Sequence, residues 1–184
     1  MITNNAREGF DYLLLQGIKS CLANQDSDNC QINIKNDLTD SQEPHLAVLT
    51  ISSYLFRLMV FIHFATDNPT REHFAKLCKT NAHDMNEKVF MDVICERANM
   101  CCGSLSRDLS RAFPHIGMST PNIVNRQCAS HLHLLNFVHI RHFKVEVNTA
   151  THFHVTLCVN SYDNLDFTVD KFASDAGNGE LEMF

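Results

Sequence analysis

Two pairs of strand-like runs bracket one long amphipathic helical stretch, and that order restricts the chain more than any other feature. Residues 45–52 and 54–65 are rich in β-branched and aromatic side chains and are separated by a tight Ser-Ser connection. Residues 131–147 and 151–160 repeat the pattern across Asn148-Thr149-Ala150. Runs of this kind with short joins read as hairpins. Between the pairs, residues 84–113 carry apolar side chains at helical spacing and stop before Pro114 and Gly117. Strand pairs flanking helices predict an α+β fold, an antiparallel β-sheet with long helices packed on it.

The flanking segments fill in around this frame. Residues 4–23 have helical spacing through Phe10, Leu13, Leu14, Ile18, Cys21 and Leu22, with Thr3, Asn4 and Asn5 as candidate caps. Residues 24–44 are a polar linker or loop in which only 30–34 alternates as a short strand would. After the turn signal Asp67-Asn68-Pro69, Thr70 is placed to cap a helix running to about Lys79. Residues 118–127 read as a loop. We expect one domain over residues 1–162, followed by an acidic C-terminal tail, 163–184, that is partly disordered. Within that tail Leu165, Phe167 and Val169 offer an edge strand, and residues 173–184 look frayed.

Composition narrows the setting. An apolar fraction of 45% over 184 residues is enough for a core without staples. Met1 is followed by Ile-Thr-Asn-Asn, with no basic segment leading into an apolar one, so no secretory signal is expected. The longest apolar run, near 58–64, is interrupted by His63 and too short to span a bilayer. The eight cysteines are therefore expected to be reduced, in a cytoplasmic protein with no membrane partner. Asp163, Asp166, Asp170, Asp175, Glu180 and Glu182 stand against Lys171 alone, so the tail carries −5 of the net charge of −6. No basic face is left to neutralise phosphates, which argues against nucleic acid as a partner.

The central helix carries the candidate chemistry. At 100° per residue, Phe90, Ile94, Ala98, Cys101, Leu105, Leu109 and Ala112 fall between about 160° and 260° from Asp92. Glu96, Asn99 and Gly103 fall within about 40° of Asp92, so these four residues form one narrow stripe opposite the core. By periodicity alone the stripe reads as a solvated helix face. Gly103 leaves room beside Asn99 for the approach of another backbone.

The residues of that stripe resemble a known signature. Asp92, Glu96 and Asn99 are spaced as Asp or Ser, three residues, Glu, two residues, Asn, and Pro121 follows 22 positions after Asn99. This is similar to the signature of the CheC, CheX and FliY chemotaxis phosphatases. Glu96-Arg-Ala-Asn-Met-Cys-Cys-Gly103 resembles the family's Glu-Leu-Ala-Asn-Met-Ile-Ala-Gly. Gly117-Met-Ser-Thr-Pro121-Asn-Ile-Val124 resembles its Ile-Ser-Leu-Pro-Thr-Val-Ile. The order of strand pair, short helix, signature helix, proline loop and strand pair extends the likeness over about 45–160. The chain departs from the family at Arg97, where an apolar residue is usual, at Met100-Cys101-Cys102, and in the first strand pair, whose turn lacks the family's glycines. No second Glu in the chain has Asn three residues later, which makes the resemblance strongest to single-site CheX.

The resemblance implies a phosphatase acting on the aspartyl phosphate of a CheY-like response regulator. The phosphorylated receiver supplies the acyl phosphate, Mg²⁺ and a lysine, so the phosphatase needs no cofactor of its own. Asn99 would enter the receiver's site and orient the attacking water, while Glu96 would dock on the receiver lysine. Phosphoryl transfer of this kind is mostly positioning and charge stabilisation, and a water-orienting carboxamide is known from GTPases. Asp92, Gly103 and Pro121 would belong to the partner-binding surface, and CheX-like members pair through sheet edges into homodimers. A decayed member of the same fold would instead be a non-catalytic receiver-binding adaptor, and the presence of Asn99 favours the enzyme.

Two rival chemistries are weaker. Cys101 and Arg107 fit the spacing Cys, five residues, Arg, but they lie inside a helical pattern and not in a loop after a strand. His131/His133 and His152/His154, with His139 and His142 nearby, would share strand faces. No four-ligand Cys/His spacing accompanies them, so no metal site is expected.

Overall fold

The computed structural model describes residues 1–23 and 28–170. In chain order its elements are α1 (Asn4–Cys21), β1 (Cys30–Lys35), β2 (His45–Ser52), β3 (Phe56–Phe64), α2 (Asn68–Leu77), α3 (Glu87–Leu109), β4 (Gly117–Met118), β5 (Asn122–Asn125), β6 (His139–Val147) and β7 (Thr151–Ser161). Two 3₁₀ segments, Ala82–Asp84 and Arg126–Leu135, join them.

The strands form one antiparallel sheet in the order β1-β6-β7-β3-β2, with β4 and β5 both paired to the outer side of β2. Alternation along the strands divides the side chains between two faces. Leu58, Val60, Ile62 and Phe64 of β3 and Phe153, Val155, Leu157 and Val159 of β7 join the main core with residues of α1 and α3. Leu46, Phe61 and Cys158 face the other way, into a small second cluster covered by Val124, Leu132 and Phe137. This is the predicted α+β arrangement, with the long helices on one face.

Local chemistry places the helix ends. Thr3, one of the three candidate caps of α1, accepts from the Ala6 N–H at 3.1 Å. For α2 the cap is Asp67 and not Thr70, whose own N–H donates to Asp67 Oδ1 at 2.9 Å. Pro69 fits in the first turn because that position has no intrahelical partner for an N–H. The central helix begins after Asn86, which caps the Val89 N–H, since Ala82–Asp84 is a separate 3₁₀ turn under Asn81. It ends at Leu109, so Ala112 lies beyond it and is exposed, contrary to the helical pattern.

Three other expectations change. The stretch 118–127 is not simply a loop, because Met118 and residues 122–125 pair with β2. The last strand pair begins at His139 and not at 131. Asn125 caps a 3₁₀ segment there, and Asn136 ends it at φ 50°, so His131-Leu-His-Leu alternates in polarity without being extended. Leu165 makes an isolated bridge to Ile2 and not a strand, and Phe167 then packs edge-on against Phe10 and Phe113. Residues 173–184 lie outside the described residues.

Candidate functional site

The stripe sits where the helix pattern puts it. Ile94, Ala98, Cys101, Cys102 and Leu105 of α3 are buried, whereas Asp92, Glu96 and Asn99 are exposed. Residues three apart on a helix are surface neighbours, about 5–6 Å between β-carbons, so Glu96 and Asn99 stand side by side. Among the described residues neither side chain has a hydrogen bond or ion pair within the protein. Among the described residues a β-carbon built on Gly103 would meet nothing within 4 Å, so they leave the space one turn beyond Asn99 open.

Three contacts hold α3 in place beneath this stripe. Gly17 of α1 lies against Cys101, close enough that a β-carbon there would be 3.0 Å from the Cys101 carbonyl oxygen. Phe90 packs edge-on against Phe64 and Phe74. Arg97, the departure from the family pattern, donates from its guanidinium to the Leu77 carbonyl at the end of α2 and reaches Cys78 Sγ at 3.4 Å. A cation at a helix C-terminus answers both its free carbonyls and its dipole. Arg97 thus ties α2 to the site helix at the residue next to Glu96.

Pro121 sits in a register change. Ile51 pairs with Met118 and Val48 with Asn122, so two residues of β2 oppose three of the edge, Ser119, Thr120 and Pro121. That is a β-bulge, a place where a strand tolerates proline because the ladder is already broken. Ser119 fixes the bulge: its N–H donates to Thr50 O at 2.9 Å, and its Oγ accepts from the Thr50 N–H at 3.0 Å.

The rival groups are not assembled for chemistry. Cys101 is fully buried, and burial, with Cys102 and Cys21 nearby, pushes its thiol well above the ordinary range. Burial, with Cys21 nearby, pushes Cys102 up to about 12. A nucleophilic cysteine needs the opposite shift. Arg107 is exposed and bonded to Ser104 Oγ at 3.1 Å, away from the thiol.

The histidines divide between the two sheet faces, and those that meet do so on hydroxyl and carboxylate partners. His131 and His133 lie on the 3₁₀ segment and are exposed, not on a strand. His139 turns toward α1, where its Nε2 is 2.8 Å from Asp11 Oδ1, with Arg141 Nε at 2.8 Å from Oδ2. Across the sheet, Thr156 Oγ1 lies 3.0 Å from His63 Nε2 and 2.9 Å from His142 Nδ1. His154 Nδ1 donates to Glu43 Oε1 at 2.6 Å, and Ser41 Oγ donates to Oε2 at 2.6 Å. No group of three His, Cys, Asp or Glu among the described residues is placed to hold a metal. Sequence reasoning missed this buried network. Its signal was the polar alternation at His63, His142, His154 and Thr156, while Glu43 came from a segment with no periodicity.

No family model matches the sequence, and no curated protein matches it either. Solved structures do. A CheC-like superfamily protein from Shewanella sp. PV-4 aligns over 86% of this chain and 99% of its own, at 15% identity and a TM-score of 0.57. CheX from Vibrio vulnificus aligns over 83% and 97%, at 17% identity and a TM-score of 0.56. CheX from Borrelia burgdorferi, solved in complex with CheY, BeF₃ and Mg²⁺, aligns over 84% and 97%, at 10% identity and a TM-score of 0.58. The chain has the CheC/CheX fold. In that fold the described residues contain no helix long and apolar enough to cross a membrane.

Proposed function

We propose that this CheX-like chain is a phosphatase in the cytoplasm that hydrolyses the aspartyl phosphate of a CheY-like response regulator. The observation that carries the reading is the pair Glu96 and Asn99. Both are exposed and, among the described residues, unpaired, one turn apart on a helix locked by its core face, in a fold that one CheX uses in a complex with CheY. The catalytic unit is residues 1–162, working as a homodimer, with 163–184 as an acidic tail.

Each residue then has a task. The receiver's Mg²⁺ and lysine neutralise charge on the phosphoryl oxygens, so no metal of the phosphatase is required. Glu96 pairs with that lysine and fixes the register. Asn99 holds a water in line with the scissile bond, its carbonyl oxygen accepting from the water. The water oxygen bonds to phosphorus as the bond to the aspartyl oxygen breaks, releasing a free carboxylate and inorganic phosphate, which keeps the water's protons or passes them to solvent. A helix suits this task because positioning catalysis tolerates little misplacement. Asp92 and Gly103 extend the contact along the stripe, and Pro121 shapes the bulge beside it.

The test follows loss of labelled phosphate from a phosphorylated receiver with Mg²⁺ present. Asn99→Ala is expected to leave receiver binding nearly intact and cut kcat by about 10²-fold or more, about 3 kcal/mol. Glu96→Ala is expected to weaken binding and make the remaining affinity less salt-sensitive. Full activity in Asn99→Ala sinks the mechanism. Binding by the wild-type chain without turnover identifies a non-catalytic adaptor of the same fold.

A further inference from the structure

The 22-residue interval between Asn99 and Pro121 has a geometric meaning. The start of α3 lies where β2 begins, since Phe90 packs on Phe64 and Phe64 pairs with His45. Past the end of α3, Phe113 packs on Phe56, beyond the last residue of β2. The helix therefore runs parallel to β2 and antiparallel to β4 and β5, which it touches. Asn99 lies nine residues past Phe90, a rise of about 14 Å. The same distance along β2 from His45, at about 3.3 Å per residue, ends near Leu49. Opposite Leu49 and Thr50 is the bulge of Ser119, Thr120 and Pro121. The bulge stands level with Asn99.

It also stands on the right side of the helix. Arg97 and Cys101 turn toward α2 and α1. Continuing around α3 through the sheet-facing residues, the opposite flank is that of Cys95 and Asn99, on the side of β4 and β5. There the edge offers two free side chains. Met118 pairs with Ile51, whose side chain is in the core, so Met118 also points to the α3 side, where it is 37% exposed. Thr120 is exposed, and among the described residues its hydroxyl has no partner. Ser119, bonded to Thr50, holds the segment between them.

We propose that Met118 and Thr120 form a second wall of the docking surface, contacting the response regulator beside its phosphorylated aspartate. This rests on the phosphatase reading. The wall gives the site an apolar and a hydroxyl contact that the acidic stripe of α3 lacks, and a bulge is a common device for aiming edge side chains at a site. These residues dock the receiver and take no part in the bond-making step, so they set KM.

The experiment measures kcat and KM for Met118→Asp, Thr120→Arg and the milder Met118→Ala, with affinity for the BeF₃-activated receiver and a thermal melt of each variant. The expected result is KM raised about 10-fold or more for the charged variants and less for Met118→Ala, with kcat within about twofold of wild type. An active wild type whose KM is unmoved by all three variants overturns the second wall and leaves the phosphatase reading standing. Lowered kcat at unchanged KM overturns it as well. A wild type that neither binds nor dephosphorylates receivers removes the phosphatase reading, and the wall falls with it.

Discussion

Gly17 of α1 presses on Cys101 of α3, two residues beyond Asn99, and a β-carbon at position 17 would lie 3.0 Å from the Cys101 carbonyl oxygen and 3.2 Å from its Sγ. The closer of these atoms is backbone, so the pressure cannot be relieved by a rotamer change. The position of the site helix is thus set from its buried side by a residue with no side chain.

A larger residue at 17 should therefore act on both stability and the site. Gly17→Leu must push the two helices apart, and overpacking of this kind costs about 1–3 kcal/mol. We expect a lowered urea midpoint and reduced phosphatase activity in Gly17→Leu. An unchanged midpoint would mean that α1 shifts without resistance.

Cys101→Ser separates the two phosphatase chemistries. Its thiol is buried and held protonated, so the substitution should leave kcat within about twofold of wild type. The stability cost should be about 1–3 kcal/mol, from a hydroxyl in an apolar site. Loss of all turnover in a folded Cys101→Ser protein would return the case to cysteine catalysis.

The sheet edge predicts how copies pair. β1 covers β6 only from His142 to Val147, so among the described residues His139, Ile140 and Arg141 have no strand on that side. Val138 and Ile140 beside it are each 42% exposed. Open edges of this kind pair with other edges. Light scattering at micromolar concentration should give twice the 20.9 kDa chain mass, and Ile140→Lys should return it to the single mass. A wild-type monomer would remove the dimer and leave the catalytic proposal untouched.

Much of this was legible in the sequence because periodicity reports burial. Phe90, Ile94, Cys101, Leu105 and Leu109 are buried as their 100° spacing requires, and β2, β3 and β7 follow β-branched and aromatic runs closely. What failed were choices made by individual side chains. Asp67 outcompeted Thr70 as a cap because its carboxylate reaches the Thr70 N–H, and Asn136 could end a 3₁₀ segment by adopting positive φ. The meaning of Pro121 was invisible because a bulge is a relation between two strands, and only the register of β2 against Met118 and Asn122 exposes it. Arg97 looked like a departure from a family pattern until Leu77 supplied its acceptor.

The buried network on the outer sheet face predicts acid sensitivity. Burial, with His154, His142 and Arg126 nearby, lowers His63 to about 4 from an ordinary 6.5, against the pull of Glu43. Burial also lowers His142 and His73. Each of these groups takes up protons in the unfolded chain before it does in the folded one. Stability they contribute is fully present above about 6.5 and is lost as pH falls, for His63 until about 4. Glu43 acts lower down: burial opposes its charge, but hydrogen bonds from His154 and Ser41 outweigh burial and hold it at about 2. Its contribution is present above the ordinary 4.5 and disappears toward 2. Urea melts between pH 8 and 4 should show stability falling below about 6.5, with His63 supplying on the order of 3 kcal/mol of the loss. His63→Gln, which can still hydrogen-bond to Thr156, should flatten that slope. An equally steep slope in His63→Gln would assign the acid sensitivity to other groups.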